Sequence, residues 1–121
     1  MKLEFLYAPT RDLQASLALY RDELGWEEAW REGDSTVSLK VPGSEVQLML
    51  SATEDDAESA FGPLFVLEDV KRFNAQRPRG LRPTSEPQEI PGGYLATFED
   101  PSGHTIYVMD QSLDAAGSDT V

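Results

Sequence analysis

A chain of 121 residues, 40% hydrophobic and 26% charged, has the length of one compact domain and the composition of an ordinary globular protein. Its 22 acidic residues against 10 basic ones give a net charge of −12, which argues against nucleic-acid binding through phosphate neutralisation and would attract a cationic molecule. Cysteine is absent and histidine occurs once, which excludes disulfides, thiolate chemistry and multi-histidine metal sites within one chain. With no signal-peptide pattern and no apolar run long enough for a membrane helix, we expect a cytoplasmic protein that contacts no membrane.

The first half of the chain predicts a strand, a helix and three further strands. Residues 3–7 alternate as a strand that Pro9 ends, and Thr10 or Asp12 is placed to cap the helix that follows. The helix is expected to end at Leu24, before Gly25. Its apolar stripe comprises Leu13, Leu17, Tyr20 and Leu24. The three strands are predicted at residues 26–31, 36–41 and 45–50, with Trp26, Glu28 and Trp30 on one face of the first of them.

The second half repeats this order after a polar, acidic segment at residues 52–62 that is predicted to be a linker. The predicted elements are a strand at 64–67, a helix at 68–77, an edge strand at 84–90 that Pro87 interrupts, and a hairpin with strands at 94–98 and 105–109. Asp100, Pro101, Ser102 and Gly103 supply the tight turn of this hairpin. We therefore expect one domain over residues 1–111, made of modules at 1–51 and 63–111, with a flexible tail at 112–121.

The duplicated order and three motifs resemble the vicinal oxygen chelate superfamily, which includes glyoxalase I, extradiol dioxygenases, methylmalonyl-CoA epimerase, fosfomycin-resistance enzymes and bleomycin-resistance binding proteins. The motifs are DLQASLALYRD at residues 12–22, LGW at 24–26 and FEDPSGH at 98–104. The resemblance covers residues 3–110. It implies an α+β fold in which two βαβββ modules form curved mixed sheets around a ligand-holding trough, and a homodimer.

The resemblance also implies where a divalent metal would be held, since enzymes of the superfamily use His and Glu side chains on the first and last strands of each module. The equivalent positions are Phe5 and Gln47 in the first module, and Gly62 (or a residue at 63–65) and Tyr107 in the second. Gln47 alone offers a suitable oxygen, whereas a metal needs several converging N or O ligands. We therefore predict no metal, no other cofactor and no catalytic residue of the family type.

The same registers predict an aromatic, thioether and amide floor for the trough. Its predicted members are Phe5, Tyr7, Gln47, Met49, Tyr107 and Met109. Glu28 and Trp30 would add an anionic group and an aromatic wall, and Trp26 is expected to pack behind the helix end. Such a surface suits a planar or amphipathic small molecule. The alternative is that these side chains fill a collapsed core.

The leading hypothesis is a metal-free binding protein of the bleomycin-resistance type, the type of protein associated with antibiotic resistance, which sequesters an amphipathic or cationic ligand. Two alternatives stay open. One is a lyase, isomerase or dioxygenase-like enzyme with a non-standard site that uses Glu45, Tyr7 or Tyr107. The other is an interaction module whose acidic face binds a basic protein. His104 is expected to stabilise the final turn by a hydrogen bond.

Overall fold

The computed structural model describes residues 1–53 and 60–113, and over these residues the fold is α+β, as predicted. The contacts divide the chain into two compact units. The first unit is Glu4–Gly62, and the second unit is Met1–Leu3 with the residues from Pro63 onward. Two strands cross these boundaries by one or two residues, and each is assigned to the unit that holds most of its residues. Much of the predicted linker and tail, residues 54–59 and 114–121, lies outside the described residues, so the domain boundaries stay predictions. No helix in the described ranges is long and apolar enough to cross a membrane.

The first unit has the predicted order of strand, helix and three strands. Its elements are β1 (Lys2–Thr10), α1 (Leu13–Leu17), a π-helical segment (Ala18–Glu23), β2 (Glu28–Glu32), β3 (Thr36–Lys40) and β4 (Gln47–Ala52). The strands lie in the order β2-β3-β4-β1, with β1 parallel to β4 and the other neighbours antiparallel. The prediction that Pro9 ends β1 is wrong, because the fixed φ of proline suits extended backbone and Pro9 stays in register with Ser51.

The helix of the first unit is shorter than predicted and changes character after Leu17. Asp12 caps it, as predicted, since its carboxylate accepts a hydrogen bond of 2.9 Å from the Ala15 N–H. Farther along, the Leu24 N–H donates to the Leu19 carbonyl, five residues back, over 2.9 Å. This wider π turn rotates Leu24 off the apolar face. The predicted place of Leu24 in the core is therefore wrong, and its side chain is 54% exposed.

The prediction that Trp26, Glu28 and Trp30 share a face is also wrong. Trp26 precedes β2 and stacks on Tyr20 beside the helix, with ring centroids 5.2 Å apart. Within β2 a register shift pairs Glu28 with Leu39 but Trp30 with Ser38. Because Leu39 and its neighbour on β3 point to opposite faces of the sheet, the bulge separates Glu28 from Trp30.

The core of the first unit lies between α1 and one face of its sheet. Leu13 and Leu17 of the helix are buried against that face. The sheet residues of this core are Val37, Leu39, Leu48 and Leu50, with Leu6 and Ala8 packed beside them. Because side chains alternate along a strand, the residues between these positions point to the opposite face of the sheet.

The second unit repeats the arrangement. Its elements are β5 (Gly62–Val66), α2 (Val70–Ala75), β6 (Arg82–Pro83), β7 (Gln88–Ile90), β8 (Gly93–Glu99) and β9 (Thr105–Met109). β5 is parallel to β9, and β8 is antiparallel to β9, β6 and β7. The single strand predicted at 84–90 is instead two short strands at the edge of β8, because Pro87 lies between them and cannot donate to a ladder. The core of this unit is formed by Val70, Ala96, Phe98 and Val108, with Phe73 edge-on to Phe98.

The tight turn between β8 and β9 is present as predicted, and Asp100 organises it. The Gly103 N–H donates to the Asp100 carbonyl over 2.9 Å, and Gly103 adopts a φ of 87° that favours glycine. The Asp100 carboxylate accepts from the N–H groups of His104 and Ser102, each at 2.9 Å, and lies 2.8 Å from Nδ1 of His104. These bonds, led by the His104 N–H, lower the pKa of Asp100. The predicted turn-stabilising role of His104 is confirmed.

A second carboxylate, Asp110, joins three segments of the second unit. Its side chain is fully buried and accepts hydrogen bonds from the N–H of Val70 (2.7 Å), the N–H of Tyr94 (3.0 Å), and the N–H and hydroxyl of Ser112 (3.2 and 2.9 Å). Burial alone would raise the pKa of Asp110, but these donors outweigh it and hold the pKa below its usual value. Gly93 lies so close that an added Cβ would collide with the Asp110 carbonyl and carboxylate.

We predict that Asp110→Asn lowers the free energy of unfolding by about 2–4 kcal/mol at pH 7, because the amide directs an NH₂ group at buried donors. Urea denaturation monitored by circular dichroism measures this change. The folded pKa is depressed, so the stabilisation by the ionised Asp110 is present above the unfolded pKa of about 3.9 and is lost as pH falls through the folded value. The difference between the two proteins should therefore shrink in acid.

Asp12→Asn is the matched control for this substitution. Asn retains an oxygen that caps a helix, so we expect a change of less than about 0.5 kcal/mol. Equal effects of the two substitutions would contradict the role assigned to Asp110.

Candidate ligand-binding site

In the first unit, the sheet face opposite α1 carries most of the predicted ligand-binding side chains. Phe5 pairs with Gln47 and Tyr7 with Met49 across β1 and β4. Paired residues of neighbouring strands point to the same side, so these four share one face, as predicted. On β3 the same face continues with Ser38, which is in register with Met49. This face is called the aromatic face below.

Trp30 completes the aromatic face from the far edge of the sheet. It is in register with Ser38, and its ring meets that of Phe5 edge-on, with centroids 5.9 Å apart and planes at 85°. The strand order separates β1 from β2 by two strands, which is about 14 Å at ordinary strand spacing. A contact between side chains at the two edges requires a concave face. The Phe5–Trp30 pair therefore spans the concavity of this unit.

A buried hydrogen bond orients the amide on the aromatic face. The Ser38 hydroxyl, whose residue has no exposed surface, donates to Oε1 of Gln47 over 2.7 Å. Because that bond occupies the amide oxygen, the NH₂ group of Gln47 is the part left to meet a ligand, and it makes no hydrogen bond within the described residues. Sequence reasoning missed Ser38. The signal was its alternation with Val37 and Leu39, which placed it opposite the core.

Part of the aromatic face is filled by its own side chains. Met49 is 8% exposed and Ser38 is fully buried, whereas Phe5, Trp30 and Gln47 are half-buried. The alternative that side chains fill the trough therefore applies to the centre of the face, around Met49. A ligand approaching it meets the aromatic rings and the amide first.

Glu28 does not lie beside Trp30 on the aromatic face, where the sequence had placed it. Glu28 lies on β2, the edge strand, and the bulge puts it in register with Leu39 of β3. Its Oε1 accepts hydrogen bonds from Nη2 and Nε of Arg31, at 2.6 and 2.9 Å. The expected anionic group beside the tryptophan is therefore absent from that position, since Glu28 is exposed and paired.

In the second unit, Tyr107 and Met109 lie on β9 and share the face opposite α2. Tyr107 is buried and in register with Leu64 of β5, and Met109 is half-buried and in register with Val66. The residue of β5 that corresponds to Phe5 is therefore Leu64, which lies within the range 62–65 expected from the sequence and two residues beyond the direct count to Gly62.

The residues at the expected metal positions do not fit a metal ion. The paired positions on the first and last strands hold Phe5 with Gln47 in one unit and Leu64 with Tyr107 in the other. Phenylalanine and leucine have no donor atom, and the amide oxygen of Gln47 is already hydrogen-bonded. No cluster of three or more His, Cys, Asp or Glu residues suited to a metal occurs in the described ranges.

Two α+β units, each with a helix on one sheet face and a paired first and last strand, define a protein built on a duplicated βαβββ motif. The family model described as "Glyoxalase/Bleomycin resistance protein/Dioxygenase superfamily" matches residues 2–108. The chain therefore belongs to this superfamily, and the resemblance seen in the sequence is confirmed. A search of curated protein sequences found no significant match.

Several solved structures are similar to this chain in fold. Methylmalonyl-CoA epimerase from Streptomyces coelicolor, solved in complex with 2-nitronate-propionyl-CoA, is 18% identical with a TM-score of 0.68, over 93% of this chain and 98% of that one. The methylmalonyl-CoA epimerase from Mycobacterium tuberculosis is 20% identical, with a TM-score of 0.59 over 96% and 91% of the chains. A superfamily member from Vibrio splendidus is 21% identical, with a TM-score of 0.54 over 88% and 94%. At these identities the likeness concerns the fold.

We predict that Phe5 and Trp30 are energetically coupled. A double-mutant cycle with Phe5→Leu and Trp30→Leu should give a coupling free energy of about 0.5–1.5 kcal/mol, the range for edge-to-face aromatic pairs. Urea denaturation of the four proteins measures it. The Phe73–Phe98 contact, with centroids 5.7 Å apart in the second unit, is a comparison pair of like geometry. Additivity within about 0.3 kcal/mol would contradict the contact.

Proposed function

We propose that this protein binds a small planar or amphipathic molecule on the aromatic face and holds it without a metal ion and without bond chemistry. The observation that carries the proposal is the pairing of Phe5 with Gln47, where enzymes of the superfamily are expected to hold a metal. An aromatic ring and an oriented amide replace metal ligands at this place. The corresponding activity is stoichiometric sequestration, and the support from the family is limited to the bleomycin-resistance proteins that its description includes.

Three kinds of contact would hold the ligand. The rings of Phe5, Tyr7 and Trp30 offer stacking surface, and the thioether of Met49 lies in register with Tyr7 beneath them. The Gln47 NH₂ group, oriented through Ser38, would donate to one acceptor on the ligand and so set its orientation. In the second unit, Tyr107 and Met109 are proposed as ligand-contacting residues of the equivalent face.

Charge supports a cationic or amphipathic ligand over an anionic one on this face. The net charge is −12, so the field of the protein raises the local concentration of cations. The homodimer and the cytoplasmic location stay predictions.

A second candidate is an enzyme with a non-standard site. The observation in its favour is that the similar structures include three of methylmalonyl-CoA epimerase. Catalysis would need a group positioned to move a proton, and Tyr7, Glu45 or Tyr107 would have to supply it. Glu45 is exposed before β4, and the fully buried carboxylate of Asp110 is held by backbone donors in the described structure. Sequestration therefore remains the proposal that the contacts support better.

Intrinsic tryptophan fluorescence tests the proposed site sharply, because the chain has only 2 tryptophans and they lie in different surroundings. We predict that titration with bleomycin or with a planar aromatic cation from a small panel gives a saturable change that Trp30→Phe abolishes. Trp26→Phe is the control, because Trp26 packs on Tyr20 beside the helix. It should keep the signal. A signal carried by Trp26 alone would place binding elsewhere.

Metal dependence separates the two candidate functions. We predict that protein purified without chelator binds its ligand with the same affinity before and after treatment with EDTA. We also predict that Gln47→Leu weakens binding about tenfold, because it removes one hydrogen bond to the ligand. Isothermal titration calorimetry measures the affinity, and elemental analysis measures the metal content. Stoichiometric Zn²⁺, Ni²⁺, Mn²⁺ or Fe²⁺ together with affinity lost in EDTA would favour the enzyme.

A further inference from the structure

The basic residues of this acidic chain are concentrated in one segment of the second unit. Residues 70–85 contain Lys71, Arg72, Arg77, Arg79 and Arg82 and no acidic residue. That is half of the 10 basic residues of the chain, while all 22 acidic residues lie outside the segment. A solubilising surface intersperses both signs. A separate basic segment on a protein of charge −12 is instead typical of a site for an anion.

Within this segment the structure forms an open surface pocket of about 390 Å³ between the end of α2 and β6. Its walls include the three arginines of the segment's second half, Arg77, Arg79 and Arg82, together with Pro78, Leu81 and Pro83. None of the residues proposed for the aromatic face or its counterpart on β9 lines this pocket. It is a separate feature of the second unit, called the arginine pocket below.

The arginine pocket is held in shape by local bonds. Nη1 of Arg77 donates to the Asn74 carbonyl over 2.7 Å and lies 3.2 Å from Asn74 Oδ1, which fixes the guanidinium at the end of α2. The Leu81 N–H donates to the Pro78 carbonyl over 3.1 Å, closing a turn with Arg79 at its tip. Proline at the start of this turn restricts the backbone before any ligand arrives.

Two of the three guanidinium groups have no carboxylate partner. Within the described residues no acidic side chain pairs with Arg77 or Arg79, and the bond from Arg82 to Glu99 is long, at 3.3 Å, and exposed. Arg77 uses Nη1 on Asn74, which leaves its Nε and Nη2 groups as donors. Forks of this kind match the oxygen geometry of phosphate and carboxylate groups.

We propose that the arginine pocket binds a small multivalent oxyanion, either a free one or the phosphate or carboxylate end of a larger metabolite. The pocket volume admits a group of that size, and the three arginines that line it supply positive charge. A nucleic-acid or membrane surface is a poorer fit, because a net charge of −12 repels a large polyanion. The site is independent of the proposed ligand of the aromatic face.

Inorganic pyrophosphate is the probe for the arginine pocket, with citrate as the tricarboxylate arm. We expect one saturable site per chain by isothermal titration calorimetry, accompanied by shifts of arginine side-chain Nε–Hε signals in NMR spectra. Tighter binding of pyrophosphate would assign a phosphoryl group to the natural ligand, and tighter binding of citrate a carboxylate. Arg77→Gln with Arg79→Gln should weaken binding at least about tenfold, because charge-assisted forks are lost.

The matched control is Arg21→Gln with Arg72→Gln, which removes the same charge from two ion-paired positions that do not line the pocket. It should change the affinity less than about twofold. Urea midpoints of all variants verify folding, and the NMR shifts of the unmodified protein report on the site even where a variant folds poorly. No saturable binding of either anion would overturn the proposal, and so would equal weakening by the two double variants. A concentration-dependent dimer that the Arg77 and Arg79 substitutions dissociate, with no anion binding, would show that the segment binds a second copy instead.

Discussion

The parallel pairing of the first and last strands of each unit is the constraint on which the rest of the structure depends. Parallel neighbours cannot be joined by a tight turn, so a crossover must connect them, and here it carries the helix. In the first unit this pairing sets Phe5 beside Gln47, and in the second it sets Leu64 beside Tyr107. Each register decides which residues face the helix and which face away from it. A slip of one residue would exchange the two faces.

Polar bonds complete this arrangement in a different way in each unit. In the first, Ser38 and Gln47 bond on the face opposite the core, so the polar contact lies where a ligand would be recognised. In the second, the buried carboxylate of Asp110 joins the start of α2 to the start of β8 through the N–H groups of Val70 and Tyr94. The hydrogen bond of the first unit thus orients the Gln47 amide, whereas those of the second unit hold the helix and the strand together.

The aromatic face and the basic segment at residues 70–85 differ in the kind of ligand group that each could bind. The face that corresponds to the superfamily's metal site offers rings, a thioether and an amide, which suits binding by stacking better than Lewis-acid chemistry. Half of the basic residues are instead concentrated in residues 70–85, and no residue of that face lines the arginine pocket. An acidic chain with one basic pocket is equipped to bind groups of opposite charge at different places.

Local sequence alone determined much of this protein, because caps and turns depend on neighbouring residues. Asp12 and Gly25 bound the first helix, Asp100 with Gly103 makes the final turn, and alternation predicts the β8–β9 hairpin to within a residue. Tertiary structure decided the rest. The π turn that expels Leu24 depends on which carbonyl each N–H selects, and the bulge that parts Glu28 from Trp30 depends on the neighbouring strand.

The candidate sites divide along the same line. Alternation is local, so it places Phe5 with Tyr7 and Gln47 with Met49. The common face of the two pairs was expected from the family resemblance, and the register of β1 with β4 decides it. The contact between Phe5 and Trp30, the bond from Ser38 to Gln47 and the presence of three arginines in the lining of one pocket could not be placed in this way. Those contacts arise only when curvature, register and a turn bring side chains from separate strands or turns together, and no pattern within one segment encodes that meeting.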